Sequence, residues 1–136
     1  MAVAGTWLRS RRASVPIIPP PVHSDREVTE WFERVVLPER ETWVTEDAGA
    51  IVALLVLLPG WIDQLYVDPD HTGRGLGSNL MDVAKRAAPA GLDLWTFQAN
   101  AGARRFYERH RFVAIGATEG DNEEGAPDVH YHWAGA

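Results

Sequence analysis

The alternation of apolar and polar residues predicts one sheet with helices packed against it. Residues 50–58 form an uninterrupted apolar run and residues 61–67 a mostly apolar one, which is the pattern of buried strands separated by a proline-glycine turn. A turn at residues 47–49 pairs the first run with the strand before it. The complete pattern predicts six strands, at residues 41–46, 50–58, 61–67, 92–97, 112–118 and 129–133.

Helical periodicity fills the segments between these strands. Ser24 and Glu27 have the spacing of a capping box, and the helix that they open is expected to end at Pro38. A further helix is predicted to open at Ser78, and another spans residues 101–109. The strands on either side of the helix that opens at Ser78 should be parallel, joined by a right-handed crossover. The order of elements predicts a single α/β (α+β) domain with a mixed sheet.

Composition bounds the class of protein. The chain has 136 residues, of which 46% are apolar, enough for one core, and it has no cysteine. Disulfides, thiolate metal sites and a cysteine nucleophile are therefore excluded. The longest apolar run is too short to span a bilayer, so we expect a soluble, cytoplasmic protein without a membrane partner.

Charge is unevenly distributed along the chain. Residues 74–111 contain seven Lys or Arg against three Asp or Glu, a local charge of +4, so the remaining residues carry −10 and the chain −6. Residues 112–136 hold five acids and no lysine or arginine. The basic part suits an anion and the acidic part a cation, unless the acids at 121–124 only form a solvated loop. The net charge disfavours nucleic acid as a partner.

Three glycines separate a strand from the helix that follows it. Gly73, Gly75 and Gly77 can bring backbone N–H groups close to an anion, and the helix N-terminus adds partial positive charge. No lysine follows a glycine here, which excludes a Walker loop, and the two-residue spacing excludes the dinucleotide fingerprint. The segment predicts a site for a phosphorylated ligand.

Two segments together resemble the signatures of the GNAT superfamily of N-acetyltransferases. Residues 65–77 are similar to its pyrophosphate loop, L-x-V-x-P followed by [QR]-x-x-G-x-[GA], with Thr72 where Gln or Arg is usual. Residues 100–112 are similar to N-x-x-A-x-x-F-Y-x-x-x-G-F, with Arg111 where glycine is usual. The resemblance covers residues 24–133.

The resemblance implies a fold and a cosubstrate. In this family two central parallel strands splay apart, and the pantetheine arm of acetyl-CoA lies between them like a strand. Backbone groups of Leu65 and Val67 would pair with that arm, and Asn100 would contact the cosubstrate, cap a helix or do both. Arg74 would supply the charge that Thr72 lacks. The pyrophosphate would lie on a loop formed by Thr72, Gly73, Arg74, Gly75, Leu76, Gly77 and Ser78.

The resemblance also implies catalytic residues. Tyr107 matches the tyrosine that many members use as general acid for the departing thiolate, and it would contact the cosubstrate; alternatively it only packs beside Phe106. Asp63 lies on the strand where members commonly carry an acidic base, and alternation puts it on the face of Leu65 and Val67. The alternative for Asp63 is an ion pair with an arginine.

Other polar and aromatic residues are weaker candidates. His130 and His132 point the same way on a predicted strand, as a chelating pair would, but no third ligand is evident and acetyl transfer needs no metal. We therefore predict no metal site. His132, Glu119 and Asp128 are lesser candidates for a base or substrate contact, and Trp95 is expected in the core.

The first 23 residues precede the predicted domain at residues 24–136. Residues 6–14 are interpreted as the tail of the family's first helix, followed by a proline-rich connection. The family's first strand has no counterpart in this sequence, so we expect it to be missing or shortened. Because an unpaired sheet edge favours pairing with another chain, a homodimer is a further expectation.

The sequence thus predicts an acetyl-CoA-dependent N-acetyltransferase that transfers acetyl directly to an amine in a ternary complex. The sequence has no cysteine and no evident Ser-His-Asp order, so nothing in it supports a covalent enzyme intermediate. The acceptor, a small-molecule or protein amine, is expected to be cationic because of the acidic C-terminal part. The alternative is a non-catalytic acyl-CoA-binding module that senses or scaffolds, and transfer of a longer acyl group stays open.

Overall fold

The computed structural model describes residues 2–136 and contains one six-stranded sheet with helices on both faces. The strands are β1 Glu41–Asp47, β2 Ala50–Leu58, β3 Trp61–Val67, β4 Leu92–Phe97, β5 Val113–Ala117 and β6 Asp128–Trp133. The helices are α1 Ala2–Ala13, α2 Asp25–Trp31, α3 Leu37–Glu39, α4 Leu76–Ala87 and α5 Ala101–Arg109. The predicted bounds of β2, β3, β4 and α5 are the observed ones.

The sheet is mixed, with strand order β1-β2-β3-β4-β6-β5. Only β3 and β4 are parallel neighbours, and they pair at a single position, Trp61 with Asp93. The antiparallel neighbours β4 and β6 instead pair along their whole length, from Leu92 with Trp133 to Phe97 with Asp128. The two parallel strands therefore separate after their first residues, which confirms the predicted mixed sheet with splayed strands.

Each face of the sheet has its own core. On one face, α4 contributes Leu80, Met81 and Ala84 to a cluster with the buried residues of β4 and β6. On the other face, helices α1 and α2 pack on β2, where Leu54 and Val56 are fully buried. On this face α1 and α2 pack on β2 and β3, and Trp95 is the one exposed residue of β4, which matters for the site described below.

The helix that opens at Ser24 forms as predicted but ends later. The Ser24 hydroxyl accepts from the Glu27 N–H at 3.2 Å, and the Glu27 carboxylate accepts from the Ser24 N–H at 3.0 Å, a complete capping box. After α2 the chain continues through one π-helical turn, Phe32–Val36, into α3. Pro38 does not end the helix, because it occupies the first turn of α3, where a missing N–H is tolerated.

The predicted N-terminal helix is present as α1 and packs on the sheet through Val3, Trp7 and Leu8. Within residues 2–136 no strand precedes it, so β1 is an edge strand, on which Trp43 and Val44 are exposed. Placing the boundary after residue 23 stays a prediction, as does the homodimer. No helix in the described residues is long and apolar enough to cross a bilayer.

The helix after the glycine loop begins earlier than expected. It opens at Leu76 rather than at Ser78, because Gly75 takes a left-handed conformation with φ +76° and ends the loop there. A residue with a side chain adopts this conformation at a cost, which explains the glycine. The first helical turn thus includes Gly77.

Candidate functional site

A cavity of about 350 Å³ lies where β3 and β4 separate. It is lined by residues 62–67 of β3, residues 94–97 of β4 and side chains of α5 and of the segment before it. The opposite edges of these strands pair with β2 and β6, whereas the edges that face the cavity have no strand partner beyond Trp61 and Asp93. An extended ligand that carries amide groups can therefore hydrogen-bond with both strands at once.

The glycine loop provides backbone donors close to this cavity. Gly73 and Gly75 both have positive φ, at +79° and +76°. The N–H of Asn79 makes the first bond inside α4, to the Gly75 carbonyl at 3.0 Å, and no side chain caps the helix. The N–H groups of residues 76–78 are consequently free to bind an anion, aided by the helix dipole.

The polar side chains of the loop have local partners. The Thr72 hydroxyl donates to the Pro69 carbonyl at 3.4 Å. The Arg74 guanidinium lies 3.8 Å from the Asp47 carboxylate, and both side chains are exposed. The role proposed for Arg74, to replace the charge that Thr72 lacks, stays a prediction. Arg74 is exposed enough to turn from Asp47 toward an incoming anion.

Gly77 is required by packing rather than by backbone conformation. A Cβ at this position would lie 3.2 Å from Cε1 and 3.3 Å from Cζ of Phe106, which is closer than ordinary contact. Phe106 lines the cavity, and its ring packs edge-on against Tyr107 with centroids 5.4 Å apart. Gly77 therefore lets α4 approach α5 and sets the position of a cavity wall.

Tyr107 is held at the C-terminal end of α5 by a Schellman motif. The Phe112 N–H donates to the Tyr107 carbonyl and the Arg111 N–H to the Glu108 carbonyl, both at 3.0 Å. Arg111 has φ +70°, the conformation that glycine usually supplies at this point. The Tyr107 ring packs on Phe112, and Tyr107 also lines the cavity.

The environment of the Tyr107 phenol keeps it protonated. The residue is 8% exposed, and burial raises the pKa of Tyr107 well above its ordinary value of 10.0. A protonated phenol inside the cavity is a hydrogen-bond donor at neutral pH. This arrangement is compatible with the predicted general acid, a role that stays a prediction.

Asn100 caps α5, as one of its two predicted roles requires. Its side-chain oxygen accepts from the Ala103 N–H at 3.1 Å. Both residues line the cavity between β3 and β4. The amide group of Asn100 is therefore fixed at the cavity wall, and its contact with a cosubstrate stays a prediction.

Asp63 lines the same cavity but already has a partner. The register shift between β2 and β3 leaves Asp63 without an opposite residue, because Ile62 pairs with Leu57 and Gln64 with Val56. This bulge interrupts the alternation that was expected to align Asp63 with Leu65 and Val67. The Asp63 carboxylate accepts from the Arg40 guanidinium at 2.6 Å, so the ion pair considered as an alternative role is present. Its role as a base stays a prediction.

The histidine pair of β6 shares one carboxylate. His130 Nε2 lies 2.8 Å and His132 Nδ1 3.0 Å from the same Asp93 oxygen. Burial opposes ionisation of Asp93, but hydrogen bonds from the two histidines outweigh it, so the Asp93 pKa is lowered. The His130 ring stacks on Trp61 and Trp95, with centroids 5.3 and 4.9 Å apart. In residues 2–136 no group of three or more His, Cys, Asp or Glu side chains is arranged to hold a metal ion.

The expectation that Trp95 belongs to the core is wrong. Its side chain is 47% exposed and belongs to neither core, and its ring stacks on that of His130. It lines the cavity instead, together with Thr96 and Phe97 of the same strand. None of these three residues was expected to line the site. Their position opposite β3 follows from the splay and has no signal of its own in the sequence.

The acidic loop between β5 and β6 folds back toward α2. Glu123 forms an ion pair with His23, whereas Asp128 holds the loop itself by accepting from Thr118 and Asn122. A second cavity of about 600 Å³ lies here, and Gln64 lines both cavities. Its acidic lining residues are Glu27, Glu30, Glu123 and Glu124.

Comparison with known proteins identifies the family. The family described as "Acetyltransferase (GNAT) family" matches residues 8–112. The peptidyl-lysine N-acetyltransferase YjaB of Salmonella typhimurium is 34% identical over 87 residues, which cover 63% of this chain and 59% of that protein. The E. coli protein of the same name is 32% identical, over 71% of this chain and 66% of that protein. The alignments thus span less than two thirds of these relatives.

Solved structures have the same fold. The solution structure of apo-form YjaB from Escherichia coli has a TM-score of 0.72 and 28% identity, covering 98% of this chain and 89% of that one. A Bacillus anthracis protein in complex with acetyl coenzyme A has a TM-score of 0.64 at 23% identity, covering 76% of this chain and 67% of that one. The chain belongs to the GNAT acetyltransferase family.

Proposed function

We propose that the protein is an acetyl-CoA-dependent N-acetyltransferase that transfers acetyl directly from the thioester to an amine. The observation that carries this proposal is the cavity between β3 and β4, whose facing strand edges lack partners. The pantetheine arm of acetyl-CoA bears amides along an extended chain, so it fits between two such edges. In this position Leu65 and Val67 would pair with it through their backbone.

The glycine loop supports the same orientation of the cosubstrate. Free N–H groups at residues 76–78 and the dipole of α4 suit the pyrophosphate of coenzyme A. They lie at the C-terminal ends of the splayed strands, so the thioester end would point toward the closed end near Trp61 and Asp93. Binding of acetyl-CoA would thus rely mostly on backbone groups. Thr72, which replaces the usual Gln or Arg, would weaken this binding without preventing it.

The reaction in this site requires an amine, an acid and a base. The amine nitrogen attacks the carbonyl carbon, the N–C bond forms, and the C–S bond breaks to leave a thiolate. Tyr107 stays protonated until this thiolate forms beside it, then donates its proton to the sulphur and regains a proton from solvent when the products leave. Asp63 is the candidate that takes the proton of the attacking amine, directly or through water.

The acceptor is a cationic amine, held by the second cavity. Four glutamates of α2 and of the loop between β5 and β6 line this cavity, beside Arg11, Arg34 and His23, and Trp31 adds an aromatic wall. Gln64 lines both cavities, so the two cavities are adjacent at β3, and an amine bound in the second would lie next to the first. The relative named a peptidyl-lysine N-acetyltransferase makes a lysine side chain one acceptor to test. A cytoplasmic location is part of the same proposal.

The replacement Tyr107→Phe tests the proposal. It removes the acid and keeps the ring, so kcat in a thiol-release assay should fall about 100-fold or more while the Kd for acetyl-CoA is unchanged. Tyr131→Phe is the matched control, because the Tyr131 hydroxyl bonds to Glu108 and Arg104 and does not line the cavity. Acetyl-CoA binding by the wild type without thiol release on any amine would favour the non-catalytic module instead.

A further inference from the structure

A buried guanidinium lies between the two cavities. Arg11, near the end of α1, is 4% exposed, and its Nε is buried without a hydrogen-bond partner. Its Nη2 donates to the Pro19 carbonyl at 3.2 Å. The guanidinium carbon lies 5.1 Å from the ring centroid of Trp7 and 5.7 Å from that of Phe97. Aromatic faces thus hold the group, but they satisfy only part of its donors.

The charge of Arg11 is not balanced, unlike that of its neighbours on α1. Arg9 forms an ion pair with Asp68 at 2.9 Å, and Arg12 pairs with Asp25 at the surface. In residues 2–136 no carboxylate lies within ion-pair distance of Arg11, whose side chain has only neutral partners, the Pro19 carbonyl and the phenol of Tyr66. The nearby phenol of Tyr66 is neutral, because burial raises its pKa. A buried cation of this kind costs free energy unless an anion accompanies it.

The position of Arg11 indicates which anion this is. Arg11 lines the larger cavity, and the Phe97 ring beneath it lines the cavity between β3 and β4. A group bound to Arg11 would therefore lie beside the path from the second cavity to the thioester. This location suits the acceptor, which must reach the thioester from the other side of β3.

We propose that Arg11 binds a carboxylate of the acceptor, so that the acceptor is a free amino acid rather than a plain amine. The carboxylates that line the same cavity, among them Glu124, disfavour a second carboxylate on the acceptor and favour an amino acid with a cationic side chain. A guanidinium is the group that best matches a carboxylate, through paired charge-assisted hydrogen bonds. This inference rests on the proposed acetyltransferase function and names its substrate class.

The test compares each amino acid with its amide, which keeps the amine and removes the negative charge. The kcat/KM for thiol release would be measured on the neutral and basic amino acids, on their amides and on cadaverine, which is lysine without its carboxylate. We expect at least one amino acid to exceed its amide by about 10- to 100-fold. In Arg11→Gln this ratio should fall to near one while the Kd for acetyl-CoA is unchanged. Arg12→Gln is the matched control and should keep the wild-type ratio.

The outcomes separate this inference from the proposed function. Turnover of amides or cadaverine as fast as amino acids would overturn the role of Arg11 and leave the acetyltransferase intact. If no amine turns over, the wild type and Arg11→Gln would be titrated calorimetrically with the same amino acids. If neither protein binds an amino acid, the proposed carboxylate site at Arg11 is overturned. Because the ratio in the wild type needs no variant, the inference stays testable even if Arg11→Gln does not fold.

Discussion

Replacing Arg111 by glycine should stabilise the fold, although the replacement removes a side chain and a charge. Arg111 has φ +70° in the Schellman motif that ends α5. A residue with a Cβ in this left-handed conformation costs about 1–2 kcal/mol, a penalty that glycine does not have. Burial is the main cause that lowers the pKa of Lys85, and the positive charge of Arg111 lowers it further. Glycine would therefore also remove a repulsion between Arg111 and Lys85.

The expected size of the effect follows from two opposing contributions. Glycine relieves the strained backbone, but it also makes the unfolded chain more flexible, which costs about 0.4–1 kcal/mol. The net gain should be about 0.5–1 kcal/mol, or a rise in Tm of about 2–4 °C for a chain of this size. Arg109→Gly is the matched control, because Arg109 is in the last turn of α5 with helical geometry. That variant should lose about 1 kcal/mol.

Thermal and urea unfolding of the wild type and both variants measure this difference. The two replacements are the same chemical change two positions apart, and the unfolding free energy should rise for Arg111→Gly and fall for Arg109→Gly. Unfolding free energies that fall for Arg111→Gly as much as for Arg109→Gly would refute the left-handed conformation of Arg111. They would also call into question the hydrogen bonds that fix the end of α5 beside Tyr107.

Two further replacements test the surroundings of the site. Burial disfavours the ionised form of Asp68, but hydrogen bonds from the Asp70 N–H and the Arg9 guanidinium outweigh this effect and lower the Asp68 pKa. Ionised Asp68 therefore stabilises the fold at pH values above the ordinary pKa of an aspartate. This stabilisation is lost as the pH falls through the lowered pKa of the folded state. Asp68→Asn should therefore reduce the unfolding free energy at pH 7 by about 1–2 kcal/mol. The unfolding free energy of this variant should also decline less than that of the wild type below about pH 4. Urea titrations that give the same pH profile for both proteins would contradict this. Gly77→Ala should destabilise the fold by about 1 kcal/mol. Crowding of the new methyl group against Phe106 costs about 1–3 kcal/mol, which exceeds the gain in helix propensity. Gly102→Ala, whose Cβ would meet only ordinary contacts, should instead be neutral or stabilising, and equal Tm shifts for the two alanines would refute the close packing.

The order of the strands and the bounds of β2, β3, β4 and α5 could be predicted from the sequence because they depend on local patterns. The apolar run of β2, the capping box at Ser24 and the periodicity of α5 each specify a structure within a few residues of chain. The splay of β3 and β4 was predicted by resemblance and not by pattern. The splay depends on how the whole sheet assembles, because β3 and β4 are separated in sequence and pair only at Trp61 and Asp93.

The site was less predictable, because its details depend on contacts between distant residues. The bulge at Asp63 and its ion pair with Arg40 arise from the packing of β3 against β2 and the segment after α3, which alternation cannot foresee. The burial of Arg11 depends on Phe97, 86 positions later in the chain. Trp95 is half exposed where β4 separates from β3, which a size-based assignment of a large aromatic residue to the core does not foresee.

The central claim is that acetyl-CoA binds in the cavity between β3 and β4 with its pyrophosphate on the glycine loop. The most direct measurement is a titration of ¹⁵N-labelled protein with acetyl-CoA, followed by amide chemical shifts. Acetyl-CoA bound in this position should cause saturable shifts at residues 64–67, 94–97 and 73–78. An absence of shifts, or shifts confined to the second cavity around Trp31, would contradict it.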